Sequence, residues 1–151
     1  MRPADAPEPG PKMPRREDEV AVVIRADLDI VAARQQGRAL AAQLGFSSSE
    51  LTLIATAISE LARNILLYAQ SGEMRMHLIE RGGRRGIVIA AQDQGPGIRD
   101  ISLALRDGFS TSRGLGLGLP GVRRLMDEFE IVSQPGAGTR VVVKKWLVNG
   151  Q

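Results

Sequence analysis

The chain has no cysteine, one histidine (His77) and five aromatic residues among its 151. Without cysteine there can be no disulfide, no thiolate metal site and no cysteine nucleophile. A single histidine excludes a His-cluster metal site and any two-histidine chemistry. No apolar run approaches the ~20 residues that a membrane helix needs. The aromatics, Phe46, Tyr68, Phe109, Phe129 and Trp146, stand apart from one another, unlike the stacked platforms of nucleic-acid binders. What is present is an ordinary globular mixture, 43% hydrophobic and 25% charged, at a length that suits one domain. Glycine is the exception to evenness. Seven of the 17 lie between Gly95 and Gly121.

Lys and Arg number 20 against 17 Asp and Glu, a net charge of +3. The basic residues are scattered as Arg81, Arg84 and Arg85, then Arg123 and Arg124, then Lys144 and Lys145. This reads as a solvated surface, with neither nucleic acid nor membrane as a partner. Residues 1–19 differ from the rest. Five of the eight prolines fall within the first 14 positions, and RREDE follows at Arg15 to Glu19. There is no apolar signal-peptide core, and such sequence cannot offset its own ordering, so a disordered tail is expected ahead of a single domain over residues 20–151. No export segment and no cysteine together point to the cytoplasm.

Val20 to Leu28 reads as a strand, and Asp29 as the cap of a helix that Gly45 stops near Leu44. Ser47 with Glu50 forms a capping box. Leu51, Ile54, Ile58, Leu61, Ile65 and Tyr68 then make one apolar stripe at spacings of three and four. Met74 to Glu80 and Gly86 to Gln92 read as strands joined at Gly82 and Gly83. A short helix is expected over Ile101 to Arg106 and a loop from Asp107 to Gly118. A helix follows with Pro120 in its first turn, carrying Val122, Leu125, Met126 and Phe129. Glu130 to Ser133 and Thr139 to Val148 close the chain as strands. The class is α+β, with helices on one face of a mixed, mostly antiparallel sheet.

Three segments carry chemistry. In SELARN, residues 59–64, Glu60 and Asn64 are four apart and share a helix face beside the apolar stripe. A carboxylate there can accept a proton, and an amide oxygen suits Mg²⁺. An ordinary solvated helix edge is the competing reading. In DQGPGI, residues 93–98, Gly95 and Gly97 permit a sharp turn and Asp93 can accept from an exocyclic amine. A plain Pro-Gly turn with a capping Asp competes. In FSTSRGLGLGLPGVRRL, residues 109–125, alternating Gly114, Gly116 and Gly118 run into a helix start, which is an anion site. Ser110, Thr111, Ser112 and Arg113 add hydroxyls and a charge for phosphate.

The order of these segments, followed by GAGT at residues 136–139, resembles the GHKL ATP-binding superfamily. SELARNILLYA, AQDQGPGI, DGFSTSRGLGLGLPGVRRLMDEFEI and GAGTRVVVKKW, with DIVAARQQGRALAAQLGF before them, are similar to the RsbT-type serine/threonine switch kinases, relatives of the anti-sigma factors. The resemblance implies a two-layer α/β sandwich, the Bergerat/GHKL fold. It implies ATP and Mg²⁺ as cofactors and phosphoryl transfer to Ser or Thr of a STAS-domain partner, with a PP2C-type phosphatase or other regulator downstream. Glu60 then resembles the catalytic carboxylate and Asn64 the Mg²⁺ ligand. Asp93 resembles the adenine reader, helped by Thr139, with Gly95 and Gly97 shaping the pocket. Ser110, Thr111 and Ser112 lie at the base of the lid, and Gly114, Gly116 and Gly118 resemble the lid itself. Arg113 departs from the family, which has a small residue there; its reach to the γ-phosphate follows from charge alone. The alternative is an ATP-dependent anti-sigma factor that sequesters a sigma subunit. His77 and Trp146 read as structural, and Phe109 as a lid-base residue.

Overall fold

A computed structural model describes residues 18–97, 105 and 118–148. The expected proline-rich tail up to residue 17 lies outside the described residues, as do all but residue 105 of the expected helix at 101–106 and the lid up to residue 117.

Five strands and three helices are present in the described part: β1 (Val20–Ile24), α1 (Asp27–Ala42), α2 (Ser48–Ala69), β2 (Gly72–Arg81), β3 (Arg84–Asp93), α3 (Gly118–Leu125), β4 (Glu128–Gln134) and β5 (Gly138–Trp146). The strands form one sheet in the order β1-β2-β3-β5-β4, and every pairing among them is antiparallel. The β2–β3 hairpin turns through Gly82 and Gly83 at φ +57° and +79°. Two positive φ values in a two-residue loop match the right-handed twist of the strands.

Alternation along the strands sends Met74, Met76, Ile87, Ile89, Val141 and Val143 to one face, where all are buried. The helices cover that face, and Ile54, Ile58, Leu61 and Ile65 of α2, each at most 2% exposed, form the centre of the core. The ends of the expected stripe, Leu51 and Tyr68, are only partly buried. By length and composition α2 could cross a membrane (22 residues, mean hydropathy 1.3), although half of that stretch is buried within the fold. Counting unbroken apolar runs misses it because Glu60 and Arg63 interrupt the sequence.

Several boundaries differ from the expectation. Helix α1 begins three residues early, with Ala26 in place of Asp29 as its N-cap, so Leu28 is helical. Asp29 sits inside the first turn, its Oδ2 accepting from the Arg25 N–H at 2.8 Å and the Ala26 N–H at 3.0 Å. Phe129 belongs to β4, because α3 ends at Leu125. Gly37 in mid-helix has a packing reason: a Cβ there would run into Ile58 of α2 and lie 2.8 Å from the Met76 sulfur.

Candidate active site

Helix α2 is the ruler along which the site is laid out. Its start is held by reciprocal bonds: Ser47 Oγ accepts from the Glu50 N–H and Glu50 Oε1 from the Ser47 N–H, both at 3.1 Å. Three turns on, Glu60 is only 6% exposed. A buried carboxylate must have donors, and Glu60 has two. Oε1 accepts from Arg63 Nη1 at 2.7 Å, and Oε2 from the Gly118 N–H at 3.3 Å. Gly118 opens α3 at φ +67°, so the start of that helix is joined to the carboxylate. The solvated-edge reading therefore does not describe Glu60. Asn64 follows one turn later on the same side, half-buried.

The other end of α2 meets the DQGPG turn. A Cβ on Gly95 would lie 2.6 Å from the Ala69 Cβ, and one on Gly72 would lie 2.8 Å from Ile65 Cγ2 and 3.2 Å from the Asp93 Cβ. Glycine lets β2, the turn and the helix approach this closely. Gly97 (φ +80°) passes against the Gln134 carbonyl, and Gly138 (φ +88°) against the Asp93 carbonyl. The Gly136 N–H donates to the Pro96 carbonyl at 2.6 Å. The turn is thus clasped between α2 and the β4–β5 hairpin. Nine residues separate Glu60 from Ala69, about 13 Å along the axis.

Asp93 ends β3 directly opposite Thr139 of β5. Its Oδ1 accepts from the Gly95 N–H at 2.9 Å. Burial raises its pKa above the ordinary carboxylate value, and hydrogen bonds from the Gly95 and Thr139 backbones offset only part of that rise. The Thr139 hydroxyl is paired with Ser133 Oγ at 2.7 Å, and Ser133 in turn bonds the Gly138 carbonyl at 3.1 Å.

The fold therefore brings Glu60 together with Gly118, and Asp93 with Gly95, Gly97 and Thr139, with Asn64 on the helix between the two groups. Ser110, Thr111, Ser112, Arg113, Gly114 and Gly116 lie outside the described residues, as does Phe109. Two residues went unread in the sequence. Arg63 was legible as a cation three positions after Glu60; Ser133 had no signal, because its pairing arises across two strands. Glu60 also borders a groove of about 380 Å³ between α1 and α2, where Arg34, Arg38, Thr52, Thr56 and Arg63 gather. Among the described residues no group of three His, Asp or Glu side chains could hold a metal ion. A cation here would depend on Asn64, phosphate oxygens and water, which is how Mg²⁺ is commonly held.

His77 is 3% exposed in β2, its Nδ1 3.9 Å from Glu19 Oε2, in keeping with a structural role. Trp146 is buried, with its indole N–H bonded to Glu128 at 2.5 Å and Arg84 stacked 4.7 Å from the ring centroid.

Residues 24–145 match the histidine kinase-like ATPase domain, and the chain belongs to that family. It is therefore an ATP-using domain. The serine/threonine-protein kinase RsbT of Bacillus subtilis (strain 168) is 54% identical over 130 residues, which cover 86% of this chain and 98% of that protein. Anti-sigma F factors of Thermoanaerobacter sp. (strain X514) and Caldanaerobacter subterraneus subsp. tengcongensis are 33% and 32% identical over 120 and 123 residues, in each case 76% of this chain and 83% of the relative. Within the family this chain is a serine/threonine protein kinase.

Proposed function

We propose that the chain transfers the γ-phosphoryl group of ATP to a Ser or Thr of a STAS-domain protein in a bacterial partner-switching module. In this reading it then acts on a downstream regulator such as a PP2C-type phosphatase, in the cytoplasm. The observation that carries the kinase reading is the 54% identity over nearly the whole of a serine/threonine-protein kinase, against 33% for an anti-sigma factor.

Phosphoryl transfer needs positioning and charge neutralisation more than covalent help. Asp93, with Thr139 and the turn at Gly95 and Gly97, would hold adenine. Gly118, at the start of α3, would face the phosphates with the lid residues Ser110, Thr111, Ser112, Arg113, Gly114 and Gly116. Mg²⁺, held by Asn64 and phosphate oxygens, supplies charge neutralisation when bound. Glu60 would align the acceptor hydroxyl and accept its proton; each carboxylate oxygen keeps a lone pair beyond the bond it already accepts.

The test is incubation of the chain with labelled ATP, Mg²⁺ and each STAS-domain protein of its own genome. A labelled Ser or Thr on one of them is expected. Glu60→Gln should abolish labelling while ATP still binds by calorimetry. Labelling that survives this substitution rules out the assigned role.

The anti-sigma relatives favour a second reading, sequestration of a sigma subunit by the ATP-bound chain. Co-purification with a sigma subunit would decide for it, whereas a labelled STAS-domain protein with no sigma binding decides for the first reading.

A further inference from the structure

We propose that Arg63 is a positioning residue: its guanidinium holds the Glu60 carboxylate at the angle from which it meets the acceptor hydroxyl. The inference rests on the role proposed above for Glu60.

The two bonds to Glu60 are unequal. The Arg63 bond is short, at 2.7 Å, and charge-assisted; the Gly118 amide is at 3.3 Å, beyond the usual range for a strong N–H···O bond. Without Arg63 the carboxylate would keep one long bond, and nothing else among the described contacts would fix its rotation about the last side-chain torsion, which is intrinsically soft. Arg63 sits one helical turn beyond Glu60 and reaches it from the groove side, with its side chain 33% exposed. Gly118 approaches the other oxygen. The carboxylate is held at both of its oxygens, with lone pairs left for a hydroxyl.

An ordinary surface i,i+3 ion pair would have the same spacing. Two observations separate this pair from one. Its acidic member has a side chain only 8% exposed, whereas surface pairs of this kind are solvated at both ends and contribute little. The same carboxylate is also bonded to an element 58 residues away. A plane with several donors suits this task better than a point charge on a flexible stem.

The experiment uses the full chain and the STAS-domain protein that accepts label in the assay above. Arg63→Ala, Arg63→Lys and Glu60→Gln are compared by kcat at saturating acceptor, by ATP Kd from calorimetry and by Tm. Arg63→Ala should lower kcat about 10- to 100-fold, the cost of a misplaced reacting group, with ATP Kd within about twofold of wild type, since adenine is held at the other end of α2. Arg63→Lys should recover part of the loss. A merely structural role would lower Tm without this selective loss of kcat. Wild-type kcat in Arg63→Ala, an effect on acceptor KM alone, or a lysine variant no better than alanine overturns the inference. If Glu60→Gln meanwhile abolishes transfer, the reading of Glu60 stands and only the role of Arg63 fails. If Glu60→Gln retains transfer, both fall together.

Discussion

Asp93 is a carboxylate held half out of water by the fold that uses it. Its pKa is raised by desolvation, so the folded state favours its protonated form. The stability this brings is fully present below the ordinary value of 3.8 and is lost as pH rises through the folded value. At neutral pH the ionised carboxylate therefore opposes folding and awaits a donor. The exocyclic amine of adenine would be that donor. Asp93→Asn should remove this gain at low pH, so that stability falls more steeply on the acid side, and leave Tm at pH 7 unchanged or higher. It should weaken ATP binding about 10-fold or more, the worth of a hydrogen bond to a charged acceptor. Unchanged ATP affinity by calorimetry would count against the adenine assignment. Much of this was legible: Asp93 at a strand end before GPG is a sequence pattern, as is the pair Glu60 and Asn64. The burial of Glu60 was not, because its surroundings come from α3, more than 50 residues on.

At the scale of elements, the β4–β5 hairpin holds the Asp93 end of the site in shape. Gly136 and Gly138 both have positive φ, at +80° and +88°. A Cβ at Gly136 would meet open space, whereas one at Gly138 would meet the Asp93 carbonyl. Gly136→Ala should therefore cost only backbone strain, about 1 kcal/mol in urea unfolding. Gly138→Ala should cost about 2 kcal/mol or more and also weaken ATP binding, because the Asp93 turn must move. Equal costs for the two would disprove the clasp. The sequence located α2 closely, through its capping box and regular stripe, and both hairpin strands β2 and β3 to within two residues. It misplaced the start of α1 and assigned Phe129 to a helix. Helix starts depend on which of several competent residues the tertiary fold allows to cap, and an apolar residue at 129 fits the end of one element as well as the beginning of the next.

Across the whole molecule, the nucleotide would join the two groups that lie along α2: Asp93 with the β4–β5 hairpin, and Glu60 with the start of α3. Binding to the folded state alone stabilises it by about 2.7 kcal/mol at 100 times Kd. ATP with Mg²⁺ should thus raise Tm by several degrees in calorimetry, and the rise should shrink in Asp93→Asn. No shift for the wild-type chain would refute nucleotide binding. The sequence by itself determined the class of fold, the helix that carries the site and the residue types available to it. Those are properties of period, capping and composition, which act locally. With no cysteine and one buried histidine, the chemistry was left to carboxylate, amide, backbone N–H and arginine. Only the tertiary structure decided that Glu60 is buried, that Arg63 and the Gly118 amide share it, and that Ser133 and Thr139 meet beside Asp93. Each of those depends on which segments distant in the chain lie within hydrogen-bond reach, and a linear order of residues does not contain that distance.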